Sequence, residues 1–433
     1  MASARESAST SRPAPRGAAL RDWALFAGGA LAIFATVPFV RALEAWVVAT
    51  AGAQAFLVAV LGIVAVAAAF AWHAVARLGA RARVALLAGV AIYAGTAWQL
   101  RGNPVEAVHV VEYGALGMLA LRALSHRGRD AALAPTAALL AASVGAFDEV
   151  LQWLAPDRVG DLRDVAVNGI AAAGGPALLA LGVAPDWARA RPALAARRRL
   201  LAVLAVAWAL LGALCLNTSA RVAWAARVVP GLGALAAQET GIVDYGELHL
   251  LPGVGAFPSR LSAADWEAAD RARAEEAGGL LAENVRASAA AAKDAPGPYE
   301  AFLAAHSAVA DPFLHELRAH VFRRDRYLET ADAHRDDPSW RARDTTVAVR
   351  ENTFLERFAP STLRAGGLAW SAAERTERSR LDLGTPYRSR VAEAVVTRVR
   401  ERHVALAWTL GGVLLGAAAL RQWRRSLRDE RWG

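Results

Sequence analysis

Apolar residues in this chain are gathered into long, charge-poor blocks rather than into the alternations of a water-soluble fold. A helix that crosses a bilayer needs about 17–25 mostly apolar residues, and eight stretches are read as such spans. They are 23–40, the later part of 45–72 (with 45–51 near the membrane surface), 84–100, 105–121, 131–147, 163–183, 200–216 and 404–420. The fourth carries Glu106, His109 and Glu112, and the sixth carries Asp164 and Asn168, so both look weak on hydropathy alone. The pattern predicts an all-α protein: a polytopic membrane helix bundle with a large, mainly helical extracytoplasmic segment between helices seven and eight. The expected organisation is a disordered cytoplasmic lead over 1–22 and a seven-helix membrane domain over 23–216. An outer helical domain over 217–403, a last span over 404–420 and a basic tail over 421–433 follow. The first block reads as a signal anchor, because Phe39, Val40 and Arg41 at its end offer no small-x-small cleavage pattern.

Charge then orients the bundle. Arginine in short loops marks the cytoplasmic side. With residue 1 inside, the inner segments hold 20 Arg and the short outer ones hold 4, namely Arg41, Arg101, Arg158 and Arg163. Both ends are therefore expected inside a bacterial cytoplasmic membrane. The net charge of +9 is a topology signal and a contact with anionic lipid. It is not a nucleic-acid footprint, and no nucleic-acid motif is present. The single Cys215 excludes a disulfide framework and a cysteine-rich zinc site.

Residues 217–403 carry helix-start signals. Ser262 with Asp265 and Glu267 opens a helix toward Leu281, Pro298 opens another to about His306, and Asp311-Pro312 starts one that runs to Ala331. The run from Thr345 to Phe358 is helical in spacing, Ser371 with Glu374 is a capping box, and 391–404 is expected to run straight into the last span. No sustained strand pattern is seen.

Ionisable groups inside spans are costly and usually functional. Here they collect at the outer ends of spans four, five and six. Glu106, His109 and Tyr113 lie at i, i+3 and i+7 on one face, with Glu112 beside His109. Span five ends in Asp148-Glu149 and Gln152, and Pro156 stops that helix. After the loop Asp157-Arg158-Val159-Gly160, Asp161, Asp164 and Asn168 again share one face, and Gly169, Gly174 and Gly175 are expected to permit close helix approach.

The register of His109, Tyr113, Asp148, Glu149, Gln152, Arg158, Asp161, Asp164, Asn168 and Gly169 resembles the VanZ-like family over about 20–183. The resemblance implies a membrane-embedded fold related to a teicoplanin-resistance protein. This chain has Glu106 where many members carry Lys. Two function classes stay open. The first is a binding protein for envelope lipid, a cell-wall intermediate or a glycopeptide antibiotic. The second is a membrane enzyme using the carboxylates and His109, with Mg²⁺ at the Asp161-x-x-Asp164 pair. No resident cofactor is otherwise expected. Proton-coupled transport is the weaker third class, since no inverted repeat is visible.

In the outer segment, His315, Glu316 and His320 suggest zinc, but the histidines are i, i+5 apart, about 140° around a helix. The Arg323-Arg324-Asp325-Arg326 run reads as a solvated or salt-bridged face. Trp23, Trp98, Trp153, Trp187, Trp408 and Trp423 read as an interfacial belt.

Overall fold

The structure is a computed structural model that describes residues 16–155, 158, 160–237, 241–290 and 297–432. Two compact units form: one holds the described residues up to Cys215 and from Ala405 onward, and the other is Leu216–Val404.

The first unit contains α1 (Arg16–Thr36), α2 (Val40–Ala51), α3 (Ala55–Val75), α4 (Ala80–Gln99), α5 (Val108–Ser125), α6 (Leu133–Leu154), α7 (Leu162–Leu178) and α8 (Leu194–Cys215). The long last helix, Glu401–Trp432, belongs mostly to this unit. Among the described residues six helices are long and apolar enough to cross a membrane. The helix spanning Leu162–Val183 is one of them, although Asp164 and Asn168 make it look weak in the sequence, because its charges are confined to its first turn. By contrast α4 and α5 fold as helices of 20 and 18 residues but fall short on composition. Arg81 and Arg83 dilute α4, and Glu112 and Arg122 dilute α5. Within the segment expected to be disordered, residues 16–22 are instead the first turns of α1, and Asp22 is buried. Residues 1–15 lie outside the described residues.

Helices α5, α6 and α7 pack against one another and hold the core of Tyr113, Leu116, Ala141, Ala171 and Ala172, with α1 supplying Phe26 and Ile33. Small residues set the spacing. A Cβ on Gly117 would lie 2.2 Å from the Ala172 carbonyl, and one on Gly174 would lie 2.7 Å from the Tyr93 hydroxyl. Gly169, expected to do this, faces open space, whereas Gly145 faces Asn168 at 2.7 Å. The Tyr93 hydroxyl of α4 donates to Ala171 O (2.7 Å) and accepts from Gly175 N–H (3.0 Å). Those two groups would close a turn of α7, so the hydroxyl is inserted into its ladder, one residue before Pro176.

The Leu216–Val404 unit begins with α9 (Ser219–Ala225) and α10 (Gly233–Ala237). A hairpin of β1 (Glu247–Leu251) and β2 (Gly255–Ser259) follows, paired Glu247 to Ser259 through Leu251 to Gly255. Strands of five residues are too short to show a sustained alternation, which is why the sequence concealed them. The helices α11 (Ala263–Ala290), α12 (Pro298–Ala305), α13 (Pro312–Ala333), α14 (Pro338–Phe358), α15 (Pro360–Ala365) and α16 (Ala372–Ser379) complete the unit around Trp266, Phe257, Leu317 and Phe354. Their starts follow the sequence signals: Asp311 caps α13 through Leu314 N–H, and Ser371 and Glu374 form a reciprocal capping box. Helix α14 begins earlier than expected because Asp337 caps Ser339 and Trp340.

The chain from Val391 to Arg400 is not the expected helix leading into the last span. Val396 bridges to Tyr245, Val391 and Val395 are buried, and Ala392 adopts φ 52°. Only at Glu401 does the last helix, α17 (Glu401–Trp432), begin.

Candidate functional site

The polar residues singled out in the sequence converge at one end of α5, α6 and α7. Asp148, Glu149 and Gln152 sit on the last two turns of α6, which continues to Leu154 and carries them inside the helix. Asp161 is the N-cap of α7, accepting from Arg163 N–H at 2.8 Å, and Asp164 and Asn168 follow on α7. His109, Glu112 and Tyr113 lie on the first turns of α5. Pro156, Asp157 and Val159 lie outside the described residues.

Five of these side chains are buried: Tyr113, Asp148, Glu149, Gln152 and Asn168. Most buried polar groups in proteins are hydrogen-bonded. Gln152 organises this set. Its amide donates to Asp148 Oδ2 (2.9 Å) and Glu149 Oε1 (3.3 Å), and its carbonyl oxygen accepts from Arg158. Glu149 accepts from Asp161 N–H (3.0 Å) and from Asn168 Nδ2 (3.5 Å), so one carboxylate joins α6, the connection and α7. The Tyr113 hydroxyl lies beside Asp148. The rings of His109 and Tyr113 are stacked at 5.9 Å, and His109 Nδ1 is 3.4 Å from Glu112.

This network backs a cavity of about 210 Å³. His109, Gln152, Arg158, Asp161 and Asp164 line it, whereas Glu112, Tyr113, Asp148, Glu149 and Asn168 do not. Its wall also contains Arg41 and Glu44 of α2, an ion pair at 3.5 Å, and Glu106 with Asn103. Asn103 donates to Glu106 at 2.5 Å, and Arg163 reaches the same carboxylate at 3.2 Å. The sequence had counted Arg41 only as an orientation charge. Its spacing of three residues from Glu44, directly after the first span, was the available signal. Burial, and then the neighbouring Arg41, lower the pKa of Arg158 from its ordinary value, which leaves a guanidinium charged at neutral pH.

The cavity wall therefore carries Glu44, Glu106, Asp161 and Asp164 against Arg41 and Arg158. Among the described residues no three His, Cys, Asp or Glu side chains are grouped as metal ligands, and Asp161 and Asp164 stand on the wall as a pair. In the other unit the zinc-like triplet also separates. His315 contacts His306 O (3.1 Å), Glu316 accepts from Ser259 Oγ (2.6 Å) and His320 meets Glu351 (2.5 Å).

A second ionic group occupies the opposite end of α5. Asp22 of α1 accepts from Arg122 Nε (3.0 Å) and lies 2.8 Å from His126 Nε2. The sequence reading missed it because Asp22 was placed in the flexible lead.

These features define a polytopic helical membrane protein with a buried polar network at one end of a three-helix core. Residues 55–182 match the VanZ/LLP1 family model, and the chain carries a VanZ-like domain there. Helices α1 and α2 precede the match. No curated protein and no solved structure matches the chain.

Proposed function

We propose that the α5–α7 cluster binds the amine-bearing polar end of an amphipathic envelope ligand. The class comprises an aminolipid, a lipid-linked cell-wall intermediate or a glycopeptide antibiotic. The chain would lie in a bacterial cytoplasmic membrane with the cluster and Leu216–Val404 on the outer side. The observation that carries the reading is the Gln152-centred network opening on a cavity with four carboxylates and two guanidiniums. Ionised carboxylates near a bilayer need a countercharge or a proton. An amine supplies that countercharge, whereas an anionic headgroup with nothing to offset it is repelled. Asp164 and Asp161 face the cavity directly and would meet the amine. The network behind them fixes the wall through Gln152 and Glu149, which tie Asp148, Arg158, Asp161 and Asn168 together.

The test is native mass spectrometry of the purified chain with short-chain phosphatidylethanolamine, phosphatidylglycerol or teicoplanin, with and without Mg²⁺. Phosphatidylethanolamine and teicoplanin should be retained in preference to phosphatidylglycerol without Mg²⁺, and less by Asp164→Asn. Equal retention of phosphatidylglycerol, or indifference to Asp164→Asn, removes the reading.

A further inference from the structure

A cavity of about 340 Å³ lies wholly within the Leu216–Val404 unit. That volume is at the lower end of the roughly 300–1,000 Å³ of small-molecule sites. Its charged wall is arginine: Arg260, Arg323, Arg326 and Arg390, with Glu316 the acid among them. Glu316 is already committed, accepting from Ser259 Oγ at 2.6 Å and from Arg260 N–H at 2.9 Å. Arg323 is held 3.0 Å from the buried Glu351. The two remaining guanidiniums are available. Among the described residues Arg326 pairs only across the exposed helix surface with Glu329, at 3.1 Å, a contact that water readily replaces. Arg390 is exposed and carries no side-chain ion pair among the described residues.

The apolar wall is built for a flat partner. Tyr299 and Phe322 stack at 4.0 Å, Arg318 sits 4.9 Å from the Tyr299 ring, and Phe322 keeps 38% of its surface exposed. Beside Arg390, the lining residue Ala392 adopts φ 52°, a left-handed conformation costly for a residue with a Cβ. Such strain collects at binding sites, where the surrounding structure holds it in place.

We propose that this cavity binds a small phosphate-bearing organic molecule with a sugar or ring face. Arg326 and Arg390 take the phosphate, and Phe322 takes the ring. One bidentate guanidinium satisfies a monocarboxylate, whereas several arginines around one cavity suit a dianion. The site is separate from the membrane cluster and does not rest on the reading of that cluster.

The experiment is isothermal titration calorimetry of the full chain in nonionic micelles with glucose 1-phosphate, inorganic phosphate and glucose. Glucose 1-phosphate should bind saturably, inorganic phosphate more weakly, and glucose not at all. Arg390→Gln and Arg326→Gln should each weaken glucose 1-phosphate about tenfold or more. Phe322→Ala should weaken glucose 1-phosphate but leave inorganic phosphate unchanged. Arg335→Gln, exposed and outside the cavity, should change nothing. Displacement of glucose 1-phosphate by short-chain phosphatidic acid would support the same phosphate site and assign it to a lipid headgroup; no displacement would support a soluble ligand. Absence of saturable binding at millimolar glucose 1-phosphate, or equal weakening by Arg335→Gln, overturns the proposal.

Discussion

Trp208 of α8 and Trp408 of α17 exchange hydrogen bonds. The Trp208 indole N–H donates to Trp408 O at 2.9 Å, and the Trp408 indole N–H donates to Trp208 O at 3.2 Å. Each indole lies where the facing helix has a glycine. A Cβ on Gly212 would meet Trp408 at 1.8 Å, and one on Gly411 would meet Trp208 at 2.3 Å. Small residues at a membrane helix interface let backbones approach, and polar groups join them. Trp408 therefore joins two helices rather than serving only in an interfacial belt.

The expected consequence is positional. Gly212→Leu should lower the thermal stability of the purified chain by about 1–3 kcal/mol, the usual cost of overpacking. Gly412→Leu, one residue from Gly411 but facing open space, should leave it unchanged. Thermal unfolding followed by tryptophan fluorescence checks both. Equal effects would mean that the indole exchange contributes nothing to holding α17.

The polar cluster has a matching pair of glycines. Gly145→Val should drive α6 off Asn168 and Tyr113, breaking the Asn168–Glu149 contact. Loss of a buried polar partner together with overpacking should cost about 2–4 kcal/mol. Gly169→Ala should be neutral or slightly stabilising, since nothing lies within 4 Å of its Cβ. Melting temperatures of the two variants decide the matter, and a larger loss at Gly169 would contradict the packing described.

How much of this was legible beforehand depends on the length scale of each signal. Long apolar blocks and cap residues such as Asp311 and Ser371 are local, and they gave the helices. The polar register of His109, Asp148, Gln152 and Asn168 was also readable, since ionisable groups stand out in apolar helices. The partner of each group was not. Which glycine faces a neighbour depends on helix rotation, so Gly169 was favoured where Gly145 and Gly117 make the contacts. Asp22 falls in the lead and Arg41 counts as an orientation charge, because Arg122, the partner of Asp22, lies far away in sequence, and so do the residues that share the cavity wall with Arg41. The β1–β2 hairpin depends on pairing between strands too short to announce themselves.

Acid should loosen the Leu216–Val404 unit in two stages. His249 is packed against Phe358, its Nε2 2.9 Å from Leu261 O. Burial holds its pKa below the ordinary 6.5. A lowered histidine stabilises the fold while neutral, and that contribution fades as pH falls below about 6.5 toward the folded value. Glu351 follows at lower pH. Burial opposes its charge, but His320, Tyr387 and Ser389 more than offset this and hold its pKa below the ordinary 4.5. Its contribution is present above 4.5 and is lost as pH falls through the folded value. Thermal unfolding of the full chain from pH 8 to about pH 2 should show both losses, and His249→Gln should flatten the first. A first stage unchanged in His249→Gln would assign it to another group.

Orientation can be tested most sharply at α5, whose composition alone does not mark it as a span. Its 18 residues rise about 27 Å, close to the hydrocarbon thickness of a bilayer. Its first turn carries His109 at the cavity shared with Gln152 and Asp161, and its other end carries Arg122, bonded to Asp22 at the start of α1. Since α1 is itself long and apolar enough to cross, a helix joining its beginning to the far cluster must run through the same depth. From the arginine asymmetry the Asp22 end is expected in the cytoplasm. Alkaline-phosphatase fusions at Gly102 and Ala304 should therefore be active, and those at Gly128 and after Trp432 inactive. Activity at both Gly102 and Gly128, or at neither, would remove α5 as a crossing helix. The reverse pattern at all four positions would invert the topology and place the acidic cavity on the cytoplasmic side, out of reach of any ligand arriving from outside.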